Sequence, residues 1–433
     1  MKTHFAAAFA AVFLSTTSIV LAPSARAQTA PNSGTVPNTA ASQSEIELST
    51  PDPASKTSPG FGVVPRLGIG SGENYDRYLK FKQTLSDQYN LDFSLDFSLY
   101  PQIATPDGGK TVWLAVYYPS LSWRPFTNTR YGSGEFDVTF GKQDYFNSAN
   151  TSIQASRLGL ITFPNDWTSD NFSWSTVAYT HTLPDSMSWL SITLGQYNLF
   201  TFDPNTYAGN AQTTFIGYDF AQDATQTFPN AGLGAYLTAK DGPFQVSGGF
   251  QGATNLSGRA ISTRGFQTGK YVGWANFQWR PDVPRLGAGI YSLLIYEQPS
   301  VPNVSSQSTG ISFSASQKLS TQWGAFLRVN HATGSDILLK TSIAAGGVRN
   351  DPFGHDPTDQ AGIALAWDQT NPKAVGTTPS GMHGGEWGNE LYYSYTVTKG
   401  LSLTPDIQVF WNPALLPNNG PAAVFAARTT LFF

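Results

Sequence analysis

The 433-residue chain sets 25 Lys+Arg against 29 Asp+Glu, for a formal net charge of −4, and contains no cysteine. Only 12% of its residues are charged, while aromatics reach 14% and glycines number 41; globular chains carry about 25% charged residues. These figures exclude a disulfide-stapled fold, a thiolate metal site and a basic nucleic-acid-binding surface, and they fit a surface that partly faces lipid.

The chain opens with Lys2 and His4, runs through an uncharged apolar stretch from Phe5 to Ala22, and reaches Ala25-Arg26-Ala27, a small-x-small cleavage pattern. Residues 1–27 therefore read as a secretory signal peptide cut after Ala27. Ser15, Thr16, Thr17 and Ser18 interrupt the apolar run, which is already short for the ~20 residues of a membrane span. Without Lys2 and Arg26 the charge moves from −4 to −6. Residues 28–60 are rich in Ala, Thr, Ser, Pro and Asn with no apolar period, the composition of a disordered segment or tether. Residues 61–89 read as a periplasmic entry element, in which Tyr75, Tyr78, Leu79, Lys82 and Leu85 recur at helical spacing and place a helix over Asn74–Gln88.

From Asn90 onward the period switches to two. Leu91, Phe93, Leu95, Phe97 and Leu99 alternate with Asp92, Ser94, Asp96 and Ser98, and Leu401, Leu403, Ile407 and Val409 oppose Ser402, Thr404, Asp406 and Gln408. Mean hydropathy is −0.21, and beyond the leader no uncharged apolar run of ~18 residues occurs, so a membrane protein built this way must be a closed barrel whose backbone groups pair between strands. About sixteen alternating segments are expected over residues 90–433, within the range known for bacterial barrels. The fold class is thus all-β, a closed antiparallel transmembrane β-barrel preceded by a short periplasmic helix. Asp203 to Ala211, Gly252 to Thr268, Gln298 to Thr309, Gly346 to Asp359 and Asp368 to Gly388 read as external loops. Lys240-Asp241-Gly242-Pro243 and Lys399-Gly400 read as tight turns. Tyr100, Trp123, Trp279, Tyr393 and Trp411 stand near strand ends, where interfacial girdles form. The absence of a fixed internal repeat and the scarcity of charge weigh against a soluble β-sandwich, propeller or β-helix.

The chain closes on Phe432-Phe433. In its last strand Phe425, Ala427, Thr429, Leu431 and Phe433 share one face, and Val424, Ala426, Arg428, Thr430 and Phe432 the other. This terminal strand resembles the C-terminal assembly signal of Gram-negative outer-membrane barrels, which implies contact with the barrel assembly machinery through Phe433. The run Asn389-Glu390-Leu391-Tyr392-Tyr393-Ser394-Tyr395, then Leu401-Ser402-Leu403-Thr404-Pro405-Asp406-Ile407-Gln408 and Asn412-Pro413, resembles the C-terminal motif of the carbohydrate-selective porin B family. Arg77-Tyr78-Leu79 to Leu85, continuing into Asn90-Leu91-Asp92-Phe93, resembles that family's opening helix and first strand. A Gly-Asp-Trp-Gly-Gly stretch carried by many members is missing. The resemblance implies a sixteen-stranded channel admitting monosaccharides and related polyols by facilitated diffusion, set in outer-membrane lipid and lipopolysaccharide. Alternatives are a general diffusion porin and a non-conducting structural or adhesin barrel.

A sugar channel needs groups that hydrogen-bond hydroxyls and rings that stack on C–H faces. Period two places Asp92, Asp96, Asp137, Glu390, Asp406 and Arg428 opposite the lipid-compatible residues, and a charge on the lipid side costs ~2–4 kcal/mol near the midplane, so these six point inward as pore-lining candidates. Each has a competing role as a wall brace, Glu390 and Arg428 above all, and Pro405 suggests a bulge beside Asp406. Either Asp144–Asn165 or Asp203–Phe228 serves as the loop that narrows the pore, with Arg157 as a further candidate and Asp166, Trp167, Tyr207 and Asp223 in or beside them. Arg124, Arg130, Lys142 and Arg157 would make a basic lumen wall if they met, one that favours sugar acids such as gluconate. His355, Asp356 and Asp359 sit close in sequence, but their spacing fits no EF-hand, and a solvated loop is the simpler reading. The histidines beyond the leader, His181, His331, His355 and His383, lack a neighbouring activated serine, and no Gly-x-Ser-x-Gly elbow occurs. The reading is therefore of a channel without catalytic residues, metal or cofactor, whose partners are small sugars. Monomer and homotrimer both remain open.

Overall fold

The computed structural model describes residues 72–106, 110–302, 305–334, 337–371, 384–398 and 400–433. The expected leader and low-complexity segment lie outside them. An 18-residue helix, Gly72–Tyr89, precedes the strands and matches the helical spacing seen in sequence. The strands in chain order are β1 (Leu91–Thr105), β2 (Thr111–Thr129), β3 (Gly132–Tyr145), β4 (Asn171–Thr182), β5 (Leu190–Tyr197), β6 (Gly232–Asp241), β7 (Phe244–Gly252), β8 (Tyr271–Trp279) and the two-residue β9 (Asp282–Val283). They continue as β10 (Gly287–Gln298), β11 (Ser308–Lys318), β12 (Trp323–Thr333), β13 (Leu339–Asn350), β14 (Gln360–Thr370), β15 (Gly385–Thr398), β16 (Leu401–Trp411) and β17 (Ala422–Leu431). Each strand pairs antiparallel with its neighbours in sequence, β8 pairs past β9 with β10, and β17 returns to β1 with Phe97 opposite Leu431 and Ile103 opposite Phe425. β9 only extends β10, so sixteen strands close the barrel. Closure leaves no sheet edge, the condition for crossing hydrocarbon with strands. No helix among the described residues is long and apolar enough to cross a membrane.

Alternation decides what faces lipid. Leu95, Leu121, Phe136, Leu194, Ile295, Ile311, Ile363, Leu391 and Phe425 are exposed on the outer wall, while their neighbours Ser122, Ser312, Glu390 and Val424 are buried inside. Trp113, Trp387 and Trp411 ring one end of the outer wall; Trp123, Trp279 and Trp323 ring the other. Tyr100 corrects the expected girdle: it is fully buried and points inward, because it falls on the Ser98 face of β1, where its hydroxyl donates to Ala211 O at 2.9 Å.

The helix and the C-terminal Phe433 sit at the end with mostly short connections. Tyr78 packs edge-on against Phe93 with centroids 6.3 Å apart, and Lys82 Nζ donates to Phe433 O at 3.0 Å. The opposite end carries the long segments 146–170, 198–231 and 253–270. The expected external loop Gly346–Asp359 is corrected: Gly346 and Gly347 lie within β13, and residues 351–359 connect β13 to β14 at the short-turn end. A side chain at Gly346 would strike the Phe326 ring at 2.5 Å, so the glycine marks close packing within a strand. Pro405 makes no bulge either. The β16–β17 register runs unbroken through Pro405–Ala427, and on the other side the ladder skips from Tyr392–Asp406 to Tyr395–Leu403, so the missing N–H of proline falls where no partner is required.

Candidate functional site

Two long loops fold into the barrel. In the first, residues 146–170, the helix Thr151–Leu158 is started by Asn150 Oδ1 accepting from Ile153 N at 2.8 Å and stopped by Gly159 at φ 79. The chain then turns inward, and Leu160, Ile161, Thr162, Asn165, Asp166 and Trp167 are buried. In the second, residues 198–231, Asp203, Asn205, Phe215, Ile216, Asp219, Phe220 and Asp223 are buried. The two loops join by backbone hydrogen bonds, Asp166 N to Ile216 O at 2.8 Å and Tyr218 N to Phe163 O at 3.0 Å. Both segments named in sequence as alternatives thus occupy the lumen together.

The wall is shaped to receive them. The inward face of β11 is a row of serines, small enough for backbone to approach. Ser314 Oγ donates to Pro204 O at 2.9 Å, Ser312 Oγ donates to Asp203 Oδ1 at 3.0 Å, and Ser316 Oγ accepts from Thr206 N at 3.2 Å. Next to this row Arg328, on β12, forms an ion pair with Asp203 and donates to Ala221 O at 3.2 Å. Across the lumen Arg428 Nη1 donates to Ala211 O at 2.8 Å and Thr214 O at 2.7 Å. Glu390 accepts from Ile216 N at 2.6 Å and Gly217 N at 2.8 Å. Four residues away on the same face of β15, Glu386 accepts from Ile161 N at 3.0 Å, Thr162 N at 3.2 Å and Ala414 N at 3.0 Å. Irregular backbone inside a barrel must find partners for its N–H and C=O groups, and these side chains supply them.

The loops carry buried acids as well. Burial, reinforced by the facing Asp368, pushes the Asp219 carboxyl well up from its ordinary range. Burial and then the charge of Asp203 push Asp223 up to about 7, against hydrogen bonds from Thr225. Burial also raises Asp166, with the Arg328 guanidinium pulling the other way. The buried cations among the described residues are Arg328 and Arg428, fewer than the buried acids, and burial disfavours the charged form of the acids left without one.

The sequence-derived candidates divide into three places. Glu390, Asp406 and Arg428 come together on β15, β16 and β17; Glu390 and Arg428 hold loop backbone, and Asp406 accepts from Gln408 Nε2 at 3.2 Å. Asp92, Asp96 and Asp137 face inward near the short-turn end, where Asp92 pairs with Arg124 and Asp137 lies opposite Ser122. Arg157 is exposed on the loop helix. The expected basic wall does not assemble: Arg124 pairs with Asp92, Lys142 with Asp144, Arg130 lies over the Tyr131 ring, and Arg157 is carried on the loop helix. His355 pairs with Asp359, which also accepts from Tyr393 Oη at 2.8 Å and Thr396 N at 2.7 Å. Burial works to raise Asp359, yet these hydrogen bonds hold it below its ordinary range. Among the described residues no cluster able to hold a metal ion occurs. Arg328, Glu386, Asp203 and Asp219 were missed in sequence. Arg328 was detectable there, as a lone charge alternating with the exposed Leu327 on one strand.

A closed sixteen-stranded barrel with a lipid-compatible wall, aromatic girdles and loops clamped across its lumen defines an outer-membrane porin. Residues 270–433 match the carbohydrate-selective porin, OprB family. Among curated relatives, Porin AaxA of Chlamydia felis is 30% identical over 359 residues, covering 81% of this chain and 79% of that protein. Porin AaxA of Chlamydia caviae is 28% identical over 362 residues, covering 82% and 79%. Among solved structures, the high-pH structure of Pseudomonas putida OprB superposes with a TM-score of 0.69 at 16% identity, over 82% of this chain and 97% of that one, a likeness of fold. The chain belongs to the OprB porin family.

Proposed function

We propose that this porin admits small carbohydrates, monosaccharides and polyols, to the periplasm by facilitated diffusion. The observation that carries the reading is the match of residues 270–433 to a carbohydrate-selective family, since that half of the barrel supplies Arg328, Glu386, Glu390 and Arg428, the side chains that hold both loops across the lumen. A lumen crossed by fixed loops favours solutes small enough to pass beside them and able to exchange water for amide and hydroxyl partners. Among the described residues the two buried guanidiniums, Arg328 and Arg428, are both engaged with the loops, so neither is left to favour sugar acids as cargo.

Planar-bilayer conductance of the purified protein, with glucose, a polyol, gluconate and a disaccharide tested as blockers, checks the reading. Block by glucose and the polyol, and weaker block by gluconate, is the expected result. Channels indifferent to every sugar would make the protein a general diffusion pore, and absence of conductance would leave a structural barrel.

A further inference from the structure

Between the two inward loops and the β3–β4 wall lies a gap lined by Gln143, Trp167, Asn171, Ser173, Ser175 and Asn230, with Gly141 beside them. Its polar side chains are amides and hydroxyls; no charged side chain lines it. This is the opposite of the loop anchors nearby, which are carboxyls and guanidiniums. Directly beneath it on the same two strands Thr139 pairs with Thr176, and further toward the short-turn end Glu135, Asp137 and Thr180 are half-exposed.

The two sides of the gap are held differently. Trp167 is fixed: its backbone N–H donates to Asn165 Oδ1 at 3.0 Å, its backbone carbonyl accepts from the Tyr145 hydroxyl, and its ring lies 6.0 Å from that of Tyr118. Asn171 Oδ1 accepts from Arg259 Nε at 3.0 Å, and Ser175 Oγ accepts from Tyr118 Oη at 3.3 Å. Asn230 is only 5% exposed, yet neither its amide oxygen nor its amide nitrogen has a protein partner; its backbone alone is tied, N to Leu256 O at 3.0 Å. Buried amides are ordinarily paired, and one left open at both ends is matched to a ligand that both donates and accepts. It also turns without breaking any protein hydrogen bond.

We infer that this gap is the selecting ring of the channel and that it takes neutral polyhydroxylated solutes, with Trp167 as the fixed stacking wall and Asn230 as the adjustable hydrogen-bonding side. This rests on the carbohydrate-channel reading and adds a division of labour, in which lumen charges hold the loops and neutral groups choose the solute. A pyranose presents a flat C–H face to an indole and hydroxyls to amides, and several weak contacts allow release as well as entry. In this conformation the gap holds about one water molecule, so passage of a sugar ring requires the Asn230 side chain to swing aside.

The chain has no cysteine, so one engineered thiol reports one place. Ser173→Cys and Asn230→Cys put it in the gap. Ala344→Cys, inward on β13 and buried in the cluster around Phe215 and Phe326, is the control. In bilayers, a small thiosulfonate reagent is expected to cause a stepwise loss of conductance in both gap variants, reversed by reductant, and none in the control. Glucose is expected to slow the labelling of Ser173→Cys several-fold more than gluconate at the same concentration. Conducting channels with unreactive gap thiols, block of Ala344→Cys, or equal protection by gluconate would each overturn the assignment while leaving the porin intact. Wild-type protein that does not conduct would overturn the carbohydrate-channel reading and this one with it.

Discussion

Glu390 on β15 accepts the backbone N–H of Gly217 at 2.8 Å, joining residues 173 apart in the chain. The same carboxylate takes the N–H of Ile216, so a residue that sequence alone marks as a pore-lining candidate acts as the seat of a loop. In Glu390→Gln one acceptor oxygen becomes an NH₂ group that faces an N–H. One loop amide then loses its partner, at a cost of about 1–3 kcal/mol. The folded barrel should convert to its unfolded band on a gel at lower temperature, with strand content by circular dichroism unchanged below that point. An unaltered conversion temperature would show that the loop is seated by other contacts.

Arg328 and Asp203 should behave as a unit. Both side chains are 1% exposed, and removing one member of a buried pair leaves an uncompensated charge, costing about 3–5 kcal/mol. Arg328→Met is expected to destabilise by that order. The double variant with Asp203→Leu is expected to recover much of the loss, because coupled neighbours are not additive. Losses that simply add in the double variant would contradict the pairing.

Gly217 is required for space, not for backbone freedom. Its φ of −60 suits any residue. An added Cβ, however, would stand 2.8 Å from Glu390 Oε2, 2.9 Å from the Phe220 ring and 3.0 Å from Asp219 Oδ1. Overpacking of this kind costs about 1–3 kcal/mol. Gly217→Ala should lower the thermal transition, whereas Gly273→Ala, where an added Cβ meets nothing within 4 Å, should leave it in place. Equal shifts in the two variants would refute the steric account.

Loop seating should weaken as pH rises. The Asp223 carboxyl is raised from 3.8 to about 7 in the folded protein, so the seated loop binds a proton that the unfolded chain releases. That contribution is complete below the unfolded carboxylate range, near pH 4, and is lost as pH climbs through about 7. Asp166 and Asp219 are displaced in the same direction by burial. Hydrogen exchange over residues 198–231, corrected for intrinsic rates, should show greater protection at about pH 5 than at about pH 8. Asp223→Asn should shrink the difference, and protection that is flat with pH in the wild type would count against protonated acids in the loop.

Strand faces were legible in sequence because lipid is an unforgiving solvent. In β17, Phe425 and Arg428 could not exchange sides, and the structure has Phe425 outside and Arg428 within. The same rule placed Asp406 and Glu390. It misplaced Tyr100, since a tyrosine suits either an interface or a wet interior, and it mistook Gly346 and Gly347 for loop because a glycine chosen for close packing looks like a glycine chosen for a turn. Where the loops go was not legible. Their anchors are backbone N–H and C=O groups, which every residue carries, and the partners lie 107 to 225 residues away. Glu390 reads from its strand as an inward acid; nothing in that strand names Ile216 and Gly217 as its donors.

The loops leave the chain between β3 and β6, whereas the groups that grip them, Arg328, Glu386, Glu390 and Arg428, belong to β12, β15 and β17. Contacts so distant along the chain form late, once the entropy of closing the intervening segment has been met. A barrel missing its last strands lacks the carboxylates that take Ile161 N and Ile216 N and the guanidinium that takes Thr214 O. The geometry predicts an order of assembly: the grip of Ser312, Ser314 and Arg328 on the second loop is available once β11 and β12 are in place, and that of Glu386, Glu390 and Arg428 is added only as the last strands arrive and β17 closes on β1.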